Sequence, residues 1–575
     1  MLLGIGTGLV SLMLGASVFG MPMFYSYFSS PLVVLLNILP PVLLTLLMYW
    51  ATGRAWLGFL VPSLVVFTLS IVSFFKMQIR NEPLVFSDFQ LIGEAGDSVA
   101  GYNLIIGWKT WLAAAYTAAG AFASFFLLRH KPRPKMRLIG AVSVLLACVV
   151  LYGFLYTNDS VYNKATGGYA VNRWSNAELY ISRGFVYPFI YSVRDPASRV
   201  PTGYDKDAAA AALAVYGDDA IPDGEKVNIV SVMLESYADF SVFDTVDFSL
   251  DVYGPLRALE KEAITGSLIV NVFAGGTTNT ERSFLTGFTK LGDFMTPVNS
   301  YVDYFETQGY VTEGYHAGDG WYYDRTTVNK NLGFDHYYYL EDFQNSNRWD
   351  DYFFSKVLEL YEARDPSVPY FSYNLSYQNH GPYDATKTSD TAYVKKGGLT
   401  DTSYNILNNY MEGVSDTTRH IADFIDYFRS RSEPVVVVLF GDHKPWLGNN
   451  NEVYNELGIN TDLNDAQGFY DFYSTPYLIW ANDAARAALG SDFTGDGGDI
   501  SPCFLMNRLF EACGWGGNAY MKAAGALEQR VTVLNTATGV FMENGVFSPV
   551  LTETAGTEYE NFDQIEYYWK HHYVE

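Results

Sequence analysis

Four stretches of this chain, residues 31–51, 55–75, 110–128 and 138–157, contain no charged side chain. As a helix, each is long enough to cross a hydrocarbon core ~30 Å thick, and backbone in that core must be helical to satisfy its own hydrogen bonds. The first 157 residues are therefore expected to form a transmembrane domain. Residues 1–30 are also uncharged and give a fifth expected span. No basic residue precedes that apolar run, so a signal peptide, leaving four spans, is the alternative. Between the last two spans lies "RHKPRPKMR", residues 129–137, with five Lys or Arg in nine positions. Basic residues in short loops stay in the cytoplasm, so the last span runs outward and everything after about residue 157 is external. Arg54, between the second and third expected spans, agrees. The loop 76–103 then falls outside; its "NEPLVFSDFQLIGEAG" alternates apolar and acidic residues, as a segment along a membrane surface does, although an ordinary ordered loop fits equally.

The remainder of the 575 residues reads as a globular region. Residues 158–222 carry scattered aromatics, "RWSNAELYISRGFVYPFIY", and an alanine-rich helix candidate, "KDAAAAALAVYG"; they are expected to form an extracellular linker segment. From 223 to 575, β-branched runs alternate with helical periodicity, the pattern of α/β folds with a mostly parallel central sheet. The net charge of −25 excludes a basic nucleic-acid binder. It leaves room for an anionic substrate, because a bound cation can set the field at a site. On a continuous helix the ten residues from Cys503 to Cys513 would hold the sulfurs about 15 Å apart, too far for a disulfide.

Five strand-like runs end in groups that bind metals or anions. "VNIVSVML" ends at Glu235, "SLIVNVF" leads through Gly275 and Gly276 to Thr277, and "GYVTEGY" ends at His316. "PYFSYNLSY" leads to His380, and "PVVVVLF" leads through Gly441 to Asp442 and His443. In open α/β sheets the ligand crevice lies beyond the carboxyl ends of the strands. An acid after a strand is ordinarily a turn or cap residue, and a lone histidine is ordinarily structural. The coincidence of five such endings carries the argument, since three of the eight histidines fall at them.

Glu235, Asp442 and His443 form a hard O/N donor set without thiolate, suited to Mn²⁺, Mg²⁺ or Zn²⁺. In "AGGTTNTERSFLTG", residues 274–287, Thr278 and Glu281 fit a capping box. Thr277, just before it, is placed to meet a metal that would activate its hydroxyl, with a helix N-terminus behind it for an anion.

In this order and behind about five spans, "VSVMLESYADF", "GGTTNTERSFLTG", "GWYYDRTTVNKNLGF", "SYQNHGPY" and "LFGDHKPWLG" resemble the lipoteichoic acid synthase-like phosphoglycerol transferases. These belong to the sulfatase branch of the alkaline phosphatase superfamily, and the likeness covers the membrane layout and roughly residues 225–520. The resemblance implies an alkaline-phosphatase/sulfatase-like domain outside a bacterial cell membrane, Mn²⁺ held by Glu235, Thr277, Asp442 and His443, and Thr277 as nucleophile. It implies that His316, Arg325 and His380 contact the phosphoglycerol group, with His380 moving protons. Tyr323 lies two residues before that arginine, where the best-known synthases carry tryptophan, and is expected in the same pocket. The donor implied is phosphatidylglycerol and the acceptor a glycolipid or polyglycerolphosphate chain, through a covalent threonine intermediate.

Four alternatives stand beside this reading. A sulfatase activity is opposed by the missing Cys/Ser-x-Pro-x-Arg signature at the nucleophile. A phosphoethanolamine transferase shares the layout but tends to be disulfide-rich outside. An idle sensor or scaffold is opposed by the near-complete ligand set, and a transporter by the scarcity of ionisable groups in the spans.

Overall fold

The structure is a computed structural model that describes residues 1–80, 83–91, 106–129, 131–169, 176–193, 200–292 and 294–573. It divides into two compact units, Met1–Ser198 and Arg199–Glu575, so the segment expected as an external linker is shared between them. Within the 76–103 loop, residues 81, 82 and 92–103 lie outside the described residues.

In the first unit, the helices Pro31–Thr52, Ala55–Gln78, Trp108–Leu127 and Pro134–Tyr156 are, among the described residues, long and apolar enough to cross a membrane. The expected first span is not one straight helix. Leu2–Gly15 and Ser17–Ser29 meet at an angle of 83°. The chain turns where Ser17 and Gly20 take positive φ (47° and 68°), and Pro22 then lacks the N–H that would continue the ladder. Small residues let the helices approach closely: a Cβ on Gly8 would lie 2.8 Å from Ile38 Cα, and Ser11 and Ser70 share a buried hydroxyl bond of 2.8 Å. Asn37, buried in the helix Pro31–Thr52, donates to Arg183 O and accepts from Tyr187 N, tying the helix Val186–Tyr191 to this unit.

The second unit is built on an eight-stranded sheet of order β4-β3-β5-β1-β6-β7-β2-β8. The strands are β1 Asn228–Leu234, β2 Ile264–Ile269, β3 Val311–His316, β4 His336–Tyr339, β5 Tyr370–Leu375, β6 Val435–Gly441, β7 Ser474–Ala481 and β8 Gly495–Ile500. The sheet is parallel except at β7, which runs antiparallel to both β6 and β2. Every residue of β1, β5 and β6 is buried, which is why these strands read as continuous apolar runs. The helix Asp401–Arg429 covers the sheet with Ile406, Tyr410, Val414, Thr417, Ile421, Phe424 and Phe428, spaced three or four apart along one face. Its N-cap, Thr400, accepts from Ser403 N. A small antiparallel sheet of β9 Val531–Asn535, β10 Val540–Glu543 and β11 Val546–Ser548 follows.

This topology puts the carboxyl ends of β1, β2, β3, β5 and β6 on one edge. Leu234 pairs in register with Gly441, and Leu375 with both Met233 and His316. Residues that follow β1, β2 and β6 come together beyond this edge.

Candidate metal centre and active cleft

β1 and β6 emerge side by side, so Glu235 and Asp442 each follow one member of a registered pair. Gly441 is required there because a Cβ would lie 2.0 Å from Tyr237 O. Asp442 Oδ1 accepts two backbone bonds, from Ser236 N and His443 N, both 2.7 Å. Its other oxygen, Oδ2, is buried without a hydrogen-bond partner. His443 Nδ1 lies 2.9 Å from Lys444 O; a carbonyl only accepts, so Nδ1 carries the proton and Nε2 presents a lone pair. That Nε2 sits 3.2 Å from Asp442 Oδ2 and 3.7 Å from Glu235 Oε1.

Three acceptor atoms from Glu235, Asp442 and His443 thus gather within 4.8 Å of one another in a buried site. Such a grouping is repulsive unless a cation sits among them, and the orphaned Asp442 Oδ2 is the oxygen such a cation would satisfy. The residues fit a divalent ion with O/N preference. Without one, burial pushes the Asp442 carboxyl up to about 7, and burial together with the Asp442 charge raises Glu235.

Thr277 opens the helix Thr277–Thr286. Gly276 precedes it at φ 87°, the left-handed turn that swings the chain out of the strand-end loop. The Thr277 hydroxyl donates to Glu235 Oε2 at 3.2 Å and lies 3.4 Å from His443 Nε2. Thr280, one turn on, donates to Asp442 O at 2.7 Å and ties the helix to the β6 turn. The expected capping box does not form: Gly276 is the N-cap and no side chain caps the helix. Glu281 instead pairs with Arg325, because a carboxylate buried this deeply needs a cationic partner more than a peptide N–H.

Arg325 Nη2 lies 2.9 Å and Nε 3.2 Å from Glu281 Oε2, which leaves Nη1 facing His316 Nε2 at 3.5 Å. His316 Nδ1 donates to Leu375 O at 3.2 Å, so Nε2 is an acceptor. Burial, then the Arg325 charge, hold His316 well below the usual imidazole range, and it is neutral. Tyr323, at φ 56°, places its ring 5.2 Å from the Arg325 guanidinium carbon.

His380 is exposed at the edge of the cleft, stacked on Tyr377 at 5.0 Å, with Nδ1 2.6 Å from Gly381 O. It makes no hydrogen bond to Thr277 among the described residues.

The structure therefore gathers Glu235, Thr277, Asp442 and His443 tightly, joins His316, Arg325 and Tyr323 into an adjoining wall, and leaves His380 at the mouth. Sequence reasoning missed the role of Glu281. It also missed Lys444, a buried amine that donates to Ser474 O and is pulled down to about 8 by burial. The position of Lys444 directly after the Asp-His pair was the available signal. Asn379 is anchored beside His380 through Thr417 to the buried Asp350 (2.9 and 2.5 Å), a chain that no local pattern announces.

The sulfatase family model matches residues 227–514, half of the chain. The chain belongs to the sulfatase family. Its catalytic-type domain has the alkaline-phosphatase-like fold, as the likeness to a solved structure of the Streptococcus pyogenes phosphoglycerol transferase GacH in complex with sn-glycerol-1-phosphate shows. That likeness has a TM-score of 0.51 and 19% identity, and covers 64% of this chain and 94% of that one. A Rhizobium meliloti (strain 1021) protein provisionally named for cyclic beta-1,2-glucan modification is 25% identical over 384 residues, 63% of this chain and 57% of that protein. The capsular polysaccharide biosynthesis protein RkpI of the same strain is 23% identical over 406 residues, 65% of this chain and 70% of that protein. The chain thus spans little more than half the length of the first of these relatives.

Proposed function

We infer that the protein is a membrane-anchored, metal-dependent phosphotransferase that moves glycerol phosphate from phosphatidylglycerol to a hydroxyl on a glycolipid or lipoteichoic-acid-type polymer. The observation that carries this reading is the Thr277 hydroxyl, 3.2 Å from Glu235 and 3.4 Å from His443 at the start of a helix. A helix N-terminus favours the anion of a phosphoryl group at that place. The choice of phosphoglycerol is supported by the fold shared with GacH, whose structure holds sn-glycerol-1-phosphate. The relatives named for glucan and capsular polysaccharide work support an acceptor in the cell envelope.

A divalent ion held by Glu235, Asp442 and His443, with Thr277 completing the set, would supply Lewis acidity at the phosphate and hydroxyl oxygens. Thr277 Oγ1 attacks phosphorus, the Thr277–phosphorus bond forms and the bond to the diacylglycerol oxygen breaks. The Thr277 proton leaves along its bond to Glu235, and His380 returns one to the departing diacylglycerol. Arg325 Nη1 holds a phosphate oxygen, and neutral His316 Nε2 accepts from a glycerol hydroxyl. An acceptor hydroxyl then takes the group from Thr277. The apolar helices would hold this chemistry at the outer leaflet, where lipid donor and product reside.

The test is to incubate the purified full-length protein with Mn²⁺ and labelled phosphatidylglycerol or phosphatidylethanolamine, without acceptor, and to map the adduct. A glycerol-phosphate adduct on Thr277, absent from Thr277→Ala, is the expected result. A phosphoethanolamine adduct would replace the donor, and an adduct on Thr278 or Thr280 would overturn the nucleophile.

A further inference from the structure

His380 also lines a groove of about 900 Å³. Its walls are the loop after β5, the start of the helix Asp350–Ala363 and the helix Asp401–Arg429. The volume is at the upper end of the range for ligand clefts, and most of the residues that line it carry polar side chains. The geometry points to this groove as the acceptor site, shaped for an uncharged oligosaccharide rather than a polyanionic chain. The assignment rests on the phosphoglycerol-transfer reading above.

Two kinds of group in the groove suit a sugar. Trp349 is 62% exposed, a large apolar ring left in water at the rim. Such a ring gives the CH face of a pyranose something to stack on, and Tyr383 continues the aromatic surface inside. Between them stand carboxylates and amides, which accept and donate to hydroxyls in the pattern a sugar ring presents. Glu412 is exposed, and the bond it receives, from the Ser389 hydroxyl at 2.7 Å, occupies only Oε1.

Charge decides the kind of chain. Asp351, Asp384, Glu412 and Asp416 line the groove against two cations, Lys387 and Arg419, and Arg419 is already paired with Asp416. A chain carrying a phosphate on every repeat would meet four carboxylates against two cations, a net repulsion that neutral sugars escape.

The shared His380 sets the reaction. Its Nδ1 is held by Gly381 O, so Nε2 is the basic nitrogen. A sugar hydroxyl seated beside it attacks the phosphorus of the Thr277 ester. A new oxygen–phosphorus bond forms and the Thr277–phosphorus bond breaks. The hydroxyl proton passes to His380 Nε2, replacing the one given to diacylglycerol, and the proton held by Glu235 returns to Thr277 Oγ1 along the bond between them, restoring the enzyme and leaving glycerol phosphate on the sugar.

The test uses full-length protein with Mn²⁺ and labelled phosphatidylglycerol, offered neutral α- and β-linked gluco- and galacto-hexasaccharides or a polyglycerolphosphate chain. Product is measured per mole of Thr277 adduct, and hexasaccharide binding is measured separately by saturation-transfer NMR on Thr277→Ala. At least one neutral hexasaccharide should be labelled in preference to the polyanion. Trp349→Ala and Glu412→Gln should each lower product per adduct at least tenfold, mainly through a raised acceptor KM. Preference for polyglycerolphosphate, unchanged transfer in both variants, or no hexasaccharide bound would overturn the assignment. Absence of any adduct in the unmodified protein would instead sink the donor reading, and the binding measurement would still decide the groove.

Discussion

Arg325 is held edge-on by Glu281, with Nη2 and Nε both within 3.2 Å of one carboxylate oxygen and the two side chains 3% and 2% exposed. This pair fixes which edge of the guanidinium faces the cleft. Removing one partner leaves the other charged and buried, which costs about 3–5 kcal/mol. Arg325→Ala and Glu281→Gln should therefore each lower the melting temperature of the purified protein by several degrees. The double variant Glu281→Gln/Arg325→Met should lose less than the sum. Additive losses in thermal unfolding would show that the pair is not coupled.

Glu235→Ala and Asp442→Ala should each abolish tightly bound divalent metal, measured by elemental analysis of the purified protein. Ser236→Ala removes only a hydroxyl that donates to Glu235 Oε1 at 3.0 Å, and should weaken metal binding without abolishing it. Full metal content in Asp442→Ala would contradict the assignment of the orphaned Oδ2.

The metal-free protein should lose stability as pH rises. Burial puts the Asp442 carboxyl at about 7, above its ordinary value of 3.8, so the folded state holds this proton more tightly than the unfolded state. The stabilisation it gives is complete below about 4 and is lost as pH climbs through about 7. Glu235, raised in the same direction, adds to the loss. A divalent ion competes with that proton, so Mn²⁺ should raise the melting temperature more at pH 8 than at pH 5.5. A larger rise at pH 5.5 would contradict the linkage.

The threonines of the helix start separate cleanly. Since Thr278 makes no capping bond, Thr278→Ala should change stability by less than about 0.5 kcal/mol and leave lipid turnover in place. Thr277→Ala should have a similarly small effect on the melting temperature and remove turnover. Thr280→Val deletes the bond to Asp442 O and should cost about 1 kcal/mol and part of the metal affinity. A cap-sized loss in Thr278→Ala would restore the capping reading.

Five basic residues in 129–137 motivate a topology in which that loop is cytoplasmic and the catalytic domain external. An engineered cysteine at Lys135 should resist membrane-impermeant reagents on intact cells, whereas one at Lys206 should react. Labelling at 135 without permeabilisation would reverse the orientation.

β1, β5 and β6 were legible because strands buried on both faces leave unbroken apolar runs, and the ligands stand where those runs stop. β8, "GDGGDI", was not, because a glycine-rich edge strand has almost no side chains to declare it. Nor was the reversed direction of β7, since burial alone determines its apolar pattern. Glu281 misled for a related reason. A capping box is a local pattern, and the partner that captured the carboxylate lies 44 residues away.

Leu234 and Gly441 are bonded neighbours in the middle of the sheet, so the spacing of Glu235 and Asp442 is inherited from the ladder itself. His380 has no such frame; it rides on a loop moored through Asn379 and Thr417 to Asp350. The two carboxylates are thus spaced by the sheet, and His380 by a loop. Insertions or substitutions across residues 378–393 would therefore reshape the groove beside His380 while the spacing of Glu235 and Asp442 is kept by the sheet.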